Sequence, residues 1–102
     1  MDKPTLTIDG KKIEMLEPKA RFWRQGLKLS EQRKDLPAID YVDAHCEFIA
    51  QVFGVSVDEV LDNIDVIDVM PLFYDIVAYI MSRLWLKLTD KKKAEVTDAE
   101  KA

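Results

Sequence analysis

Residues Leu72 to Leu88 are apolar almost all the way round a helix, and this stretch constrains the fold more than any other. Leu72, Phe73, Ile76, Val77, Ile80, Met81, Leu84, Trp85 and Leu88 recur at three- and four-residue steps, with Tyr79 and Leu86 widening the surface. A helix with one apolar stripe can lie on a surface. One this wide is either central in its own fold or shared with a partner chain. A bilayer would also cover it, but Asp75, Arg83 and Lys87 interrupt the run. Each central charge of that kind costs about 2.5–3.5 kcal/mol in a membrane, so no membrane partner is expected. Pro71 belongs in the first turn, because deeper inside it would cost about 3 kcal/mol or more. Asp65 or Asp68 is then the cap, and 66–70 is a tight turn or a kinked start.

The elements available to cover this helix can be read from local signals. Asp9-Gly10 separates the alternating runs Thr5–Ile8 and Lys11–Met15. A type I′ turn needs φ > 0 at both central residues, which makes Asp-Gly a strong hairpin signal. Leu6, Ile8, Ile13 and Met15 then share one face. That face must lie on helices or another chain, because a lone hairpin is marginal in water. Pro18 is expected near the first position of a helix over 19–29, carrying Phe22, Trp23 and Leu27 on a basic background. Gly26 reads as the end of that helix, and 30–36 as a polar loop. A second helix is predicted from Pro37 to Phe53, with Tyr41, Val42, Cys46, Ile49, Val52 and Phe53 on its apolar side and Gly54 as its stop. Ser56 and Glu59 form a capping box for a short helix to about Asn63 that buries Val57, Val60 and Leu61. The fold class is α+β, mainly α: an N-terminal β-hairpin followed by about four helices and a disordered C-terminal tail. Residues 1–88 form one domain. Residues 89–102, with Val96 as their one large apolar residue, form the charged tail.

The chain has 102 residues, 48% apolar and 33% charged, with a formal net charge of −4. That is the balance of one ordinary globular domain, and it is too short for a barrel enzyme. The net charge conceals a split. Residues 1–36 hold nine basic and six acidic side chains, a balance of +3, whereas residues 37–88 hold two and nine, a balance of −7. The tail is neutral. A basic front and an acidic body on one chain can meet head to tail, so a homo-oligomer is among the expected partners. The opening Met1-Asp2-Lys3-Pro4 lacks the apolar run of a signal peptide, and the single Cys46 has no disulfide partner, which points to the cytoplasm.

Catalytic chemistry finds little to work with. His45-Cys46 is the one nucleophile–base pair by composition, but neighbours on a helix point about 100° apart. A buried structural cysteine beside a boundary histidine explains the pair better. Asp62, Asp65 and Asp68 lack the alternate ligands, mid-loop glycine and closing Glu of a calcium loop, and helix capping accounts for them. Gly10, Gly26 and Gly54 are isolated, so no phosphate-cradling loop exists. No catalytic, cofactor or metal site is expected, and the chain is not expected to be an enzyme. Arg21, Trp23 and Arg24 could suggest nucleic acid, but the pI of about 4.9 and the acidic body argue against it. Two readings remain for them: a solvated basic face over core aromatics, or a surface that docks on an acidic protein. The aromatic residues of the last helix divide in the same way between core and interface. The candidate protein-interaction residues are therefore Arg21, Trp23, Arg24, Phe73, Tyr74, Tyr79, Met81 and Trp85.

Three segments carry a family likeness: Lys3-Pro4-Thr5-Leu6-Thr7-Ile8-Asp9-Gly10-Lys11, Pro18-Lys19-Ala20-Arg21-Phe22-Trp23-Arg24, and the run from Phe53 to Asn63, Phe53-Gly54-Val55-Ser56-Val57-Asp58-Glu59-Val60-Leu61-Asp62-Asn63. Together, over residues 3–88, the sequence resembles the tail assembly chaperones of long-tailed phages and prophages of Gram-positive bacteria. The resemblance implies a small, mostly helical, non-enzymatic protein of the host cytoplasm. Such a protein coats the tape-measure protein, helps recruit tail-tube protein and leaves before the virion matures. The family has no catalytic set to carry over. The other class to be weighed is a small helical regulatory or DNA-binding protein of a mobile element.

Overall fold

The computed structural model describes the backbone of residues 2–32 and 37–101 and the side chains of 2–32 and 37–85. The fold is α+β, mainly α. Strands β1 (Thr5–Ile8) and β2 (Lys11–Glu14) pair antiparallel with Leu6 opposite Ile13 and Ile8 opposite Lys11. Asp9 and Gly10 have φ of 50° and 80°, both in the left-handed region that the two-residue turn demands. The ladder continues one step further as the Met15 N–H donates to the Pro4 carbonyl at 3.2 Å. Leu6, Ile8 and Met15 are buried and Ile13 packs against them, so the predicted face is the one that enters the core.

Helix α1 spans Ala20–Glu31. It starts two residues after Pro18, which lies before the cap and not at the first helical position. Lys19, extended at ψ 164°, is the cap residue, and its carbonyl accepts from Phe22 N–H at 2.9 Å. The helix also runs past its expected end. Leu29 is buried and holds the last turn on the core, while Ser30 Oγ–H donates back to the Gly26 carbonyl at 3.0 Å. Gly26 is thus an interior contact point. A Cβ there would meet Val77 Cγ2 at 3.4 Å and Phe48 Cζ at 3.6 Å. The remainder of the expected loop, 33–36, lies outside the described residues.

Helix α2 spans Ala38–Phe53, with Pro37 as its cap residue and Gly54 closing it at φ 69°. Its C-terminal half is buried on nearly every side: His45, Cys46, Phe48, Ile49, Ala50, Val52 and Phe53 all enter the core. The hairpin exit lies against it, where Leu16 N–H donates to the Val52 carbonyl at 2.8 Å. α2 is consequently the central helix. Val42, expected on the apolar side, is exposed, because the helix is covered only beyond its first turns.

Helix α3, Val57–Asn63, carries both halves of the predicted capping box. Glu59 N–H donates to Ser56 Oγ at 3.1 Å and Ser56 N–H donates to Glu59 Oε1 at 3.2 Å. Seven residues give it one buried face. Val60 is buried, Val57 packs beside the core, and Leu61, about 100° further round, is exposed where burial was expected. Asn63 Oδ1 accepts from Asp9 N–H at 3.0 Å, tying the hairpin turn to α3.

A short 3₁₀ turn, Val66–Asp68, follows, capped by Asp65 Oδ1, which accepts from Ile67 N–H at 3.0 Å. Helix α4 begins at Val69, so Pro71 is in its first turn as predicted. Its buried stripe is Phe73, Ile76, Tyr79 and Ile80, with Leu72 and Val77 packed against the core. The helical backbone runs to Lys101, beyond the limit of Leu88 expected from composition. Lys, Ala and Glu there are good helix formers, and neither Pro nor Gly follows Pro71. The packing of the expected tail, 89–102, lies outside the described residues.

Candidate protein-interaction surfaces

Helix geometry sorts the eight candidate residues into two groups. On α4, Phe73 and Tyr79 face inward. The Phe73 ring is 2% exposed and sits 4.5 Å from His45, 5.6 Å from Phe48 and 5.7 Å from Tyr74, centroid to centroid. Edge-on packing of this kind is a core arrangement. Tyr79 is also buried, and its hydroxyl accepts from Arg83 Nη1–H at 3.4 Å. A partner cannot reach either ring without opening the domain.

Tyr74, Met81 and Trp85 lie on the other side. Positions 74, 78, 81 and 85 follow the i, i+4, i+7, i+11 spacing of one helical stripe, about 16 Å long at 1.5 Å per residue. Tyr74 and Ala78 are exposed, Met81 is half-buried and Trp85 is 64% exposed. This is an apolar, aromatic seam on a helix whose opposite face is anchored in the core.

Arg21, Trp23 and Arg24 stand together on the outer face of α1. With Ala20, Leu27, Lys28 and Glu31 they line an open groove of about 750 Å³. The placement follows from the periodicity of α1. Phe22, Gly26 and Leu29 occupy the inner side, so Trp23 and Leu27, one turn apart, are carried outward. Of the two aromatics read as core candidates, Phe22 packs on the core and Trp23 does not. Among the described residues no cation of this face is in an ion pair, although Glu31 shares the groove. Among the described residues the ion pairs are Lys3–Glu17 at 2.7 Å and Arg83–Glu17 at 3.6 Å, neither of which involves Arg21, Arg24 or Lys28. The Lys3 hydrogen bond, aided by Lys3 and Arg83 charge, holds the Glu17 carboxyl below the usual carboxylate range.

A third surface escaped the sequence reading. Val66 and Ile67 in the 3₁₀ turn are 84% and 75% exposed, and Leu61 stands exposed nearby in the chain. The signal was present as an apolar pair inside a run of aspartates spaced by three. Asp65 spends its carboxylate on capping, which turns the next two side chains outward.

His45 is buried, not at the boundary where it was expected. Its Nδ1–H donates to the Tyr41 carbonyl at 2.7 Å, and the Tyr41 and Phe73 rings enclose it at 4.3 and 4.5 Å. Cys46 is buried as expected. Burial, with Asp43 adding negative charge, pushes its thiol above the ordinary range, the direction opposite to nucleophile activation. Among the described residues no group of three or more His, Cys, Asp or Glu side chains is placed to hold a metal ion. Among them, too, no helix is long and apolar enough to cross a membrane. Set against protein-family models, curated proteins and solved structures, the chain matches none.

Proposed function

We propose that this chain is a tail assembly chaperone of a long-tailed phage or prophage, a non-enzymatic protein that binds the tape-measure protein and helps recruit tail-tube protein during tail morphogenesis. The observation that carries the reading is the exposed Tyr74–Ala78–Met81–Trp85 seam on α4. Its spacing is the one by which a helix pairs with another helix, with aromatic anchors at either end of a small and a flexible residue. A tape-measure protein is long and helical, and coating it takes many modest contacts of this kind repeated along its length. The sequence likeness over residues 3–88 points the same way. On this reading the protein works in the host cytoplasm and is not retained in the mature virion.

The test is co-expression with the tape-measure protein of the phage or prophage that would carry this chain. Co-elution on size exclusion, lost in Trp85→Ala and Tyr74→Ala with unchanged circular dichroism, supports the proposal. Failure to co-elute sinks it. A shift of duplex DNA at physiological salt would favour instead the small regulatory or DNA-binding protein, through Arg21, Arg24 and Lys28.

A further inference from the structure

We infer that the uncovered end of α2, where it meets the 3₁₀ turn, is a docking site for a lysine- or arginine-rich amphipathic helix of another protein. Ile39, Val42, Cys46, Ile49 and Phe53 follow the i, i+3, i+7, i+10, i+14 spacing of one stripe along α2. Cys46, Ile49 and Phe53 are buried, whereas Val42 is 43% and Ile39 67% exposed. The cover runs out because α3, which packs on α2, is too short. Its seven residues span about 10 Å, against about 24 Å for the sixteen of α2. The stripe has helix-packing spacing over its whole length and is partnered only over its C-terminal part.

The chain beyond α3 brings a second apolar element to that end. The 3₁₀ turn leads straight into α4, and Met70, the second residue of α4, touches the first turn of α2. There Tyr41 Oη–H donates to Met70 Sδ at 3.7 Å. The Tyr41 ring lies 4.3 Å from His45, and His45 4.5 Å from Phe73, so a row of rings holds the two helix starts together. Val66 and Ile67 precede Met70 by four and three residues, and Val42 and Ile39 lie one and two residues from Tyr41. Four exposed aliphatic side chains thus flank one interhelical contact, and none of them packs against the core. An apolar cluster rimmed by polar groups marks an interaction site.

Charge selects the occupant. From Pro37 to Ser82 the sequence holds nine acidic residues and no Lys or Arg. Asp40 and Asp43 stand exposed on α2, and Asp65 and Asp68 on the turn. None of the four is in an ion pair with a described residue. Such a rim repels the phosphates of nucleic acid and of lipid headgroups. It attracts Lys and Arg, whose aliphatic stems add cover to the apolar centre. The occupant is a helix because the uncovered stripe keeps the spacing by which helices pack. The inference uses neither the α4 seam nor the α1 groove, and it is independent of the tape-measure reading.

Fluorescence anisotropy on the full chain tests it, with a labelled leucine–lysine amphipathic peptide about five helical turns long and a twin in which Glu replaces Lys. The lysine peptide should bind, less tightly at high salt, and the glutamate twin about tenfold or more weakly. Ile39→Ser/Ile67→Ser leaves every charge in place and should weaken the lysine peptide by about tenfold or more. Circular dichroism should stay unchanged, since neither side chain has a core contact to lose. Asp43→Lys/Asp68→Lys should reverse the preference in favour of the glutamate twin. Trp85→Ala, in the α4 seam, should leave peptide binding as it is. A lysine peptide that does not bind overturns the inference. So does equal binding by Ile39→Ser/Ile67→Ser, an unreversed preference in Asp43→Lys/Asp68→Lys, or loss of binding in Trp85→Ala. A parent chain that self-associates in sedimentation velocity and is dispersed by Ile39→Ser/Ile67→Ser also overturns it, because the occupant would then be a second copy. Peptide binding by a chain that fails to co-elute with the tape-measure protein would support this site and sink the proposed function alone.

Discussion

Replacing Phe73 and Trp85 by alanine, one at a time, separates core from contact surface on a single helix. The Phe73 ring is almost wholly buried and has three aromatic neighbours within 5.7 Å. Truncating such a side chain removes its transfer energy and leaves a cavity, about 3–5 kcal/mol for Phe to Ala. Each lost edge-on aromatic contact adds toward the upper half of that range. A loss of about 4 kcal/mol is therefore expected, against a total stability of about 5–15 kcal/mol for a domain of this size. Trp85 is 64% exposed, and truncating a surface side chain changes stability by about 0.5 kcal/mol or less. Urea unfolding followed by far-UV circular dichroism reads both. With a denaturant slope of about 1.5 kcal/mol/M, the Phe73→Ala midpoint should fall by about 2–3 M and the Trp85→Ala midpoint by less than about 0.4 M. A Phe73→Ala midpoint within about 0.5 M of the parent would refute the inner face assigned to that ring. A Trp85→Ala midpoint lowered by more than about 1 M would show that the indole is structural, and the α4 seam would no longer be free for a partner.

Gly26→Ala should be tolerated or stabilise by up to about 1 kcal/mol in the same assay, since the new Cβ meets Val77 and Phe48 at 3.4 and 3.6 Å and the helix gains a better former. Gly26→Leu should overpack that contact and cost about 1–3 kcal/mol. Ser56→Ala removes the hydroxyl that caps Glu59 N–H and should cost about 1 kcal/mol, seen as a lowered urea midpoint. Glu17 is held below its ordinary pKa by the Lys3 hydrogen bond, so its contribution to stability is present above the unfolded carboxyl pKa and is lost as pH falls through the lower folded value. NMR titration of its side-chain carboxyl should return to the ordinary range in Lys3→Met.

Local backbone chemistry made the element boundaries most legible. Asp9-Gly10, Gly54, the Ser56–Glu59 box and Pro71 each satisfy or remove specific hydrogen bonds within a few residues, and each stands where the sequence placed it. Where no such device exists the reading slipped. α1 has no side-chain cap, and both its start and its end lie beyond the limits inferred from Pro18 and Gly26. The candidate interaction residues were legible as a set of types but not as a surface. Tyr74, Met81 and Trp85 differ from Phe73 and Tyr79 only in the direction from which α2 approaches.

The sequence by itself determined that the chain makes a hairpin and a set of amphipathic helices, because turns, caps and periodicity act over at most a few residues. It determined also that a basic front and an acidic body share one chain. Tertiary structure alone decided that α2, and not the more apolar α4, is central. It decided that His45 is enclosed, and that Leu61, Val66 and Ile67 face outward. Burial is conferred by neighbours from distant parts of the chain. A helix that is apolar on several sides states how much surface needs covering, and only the packed fold shows which side is covered and which is left for another molecule.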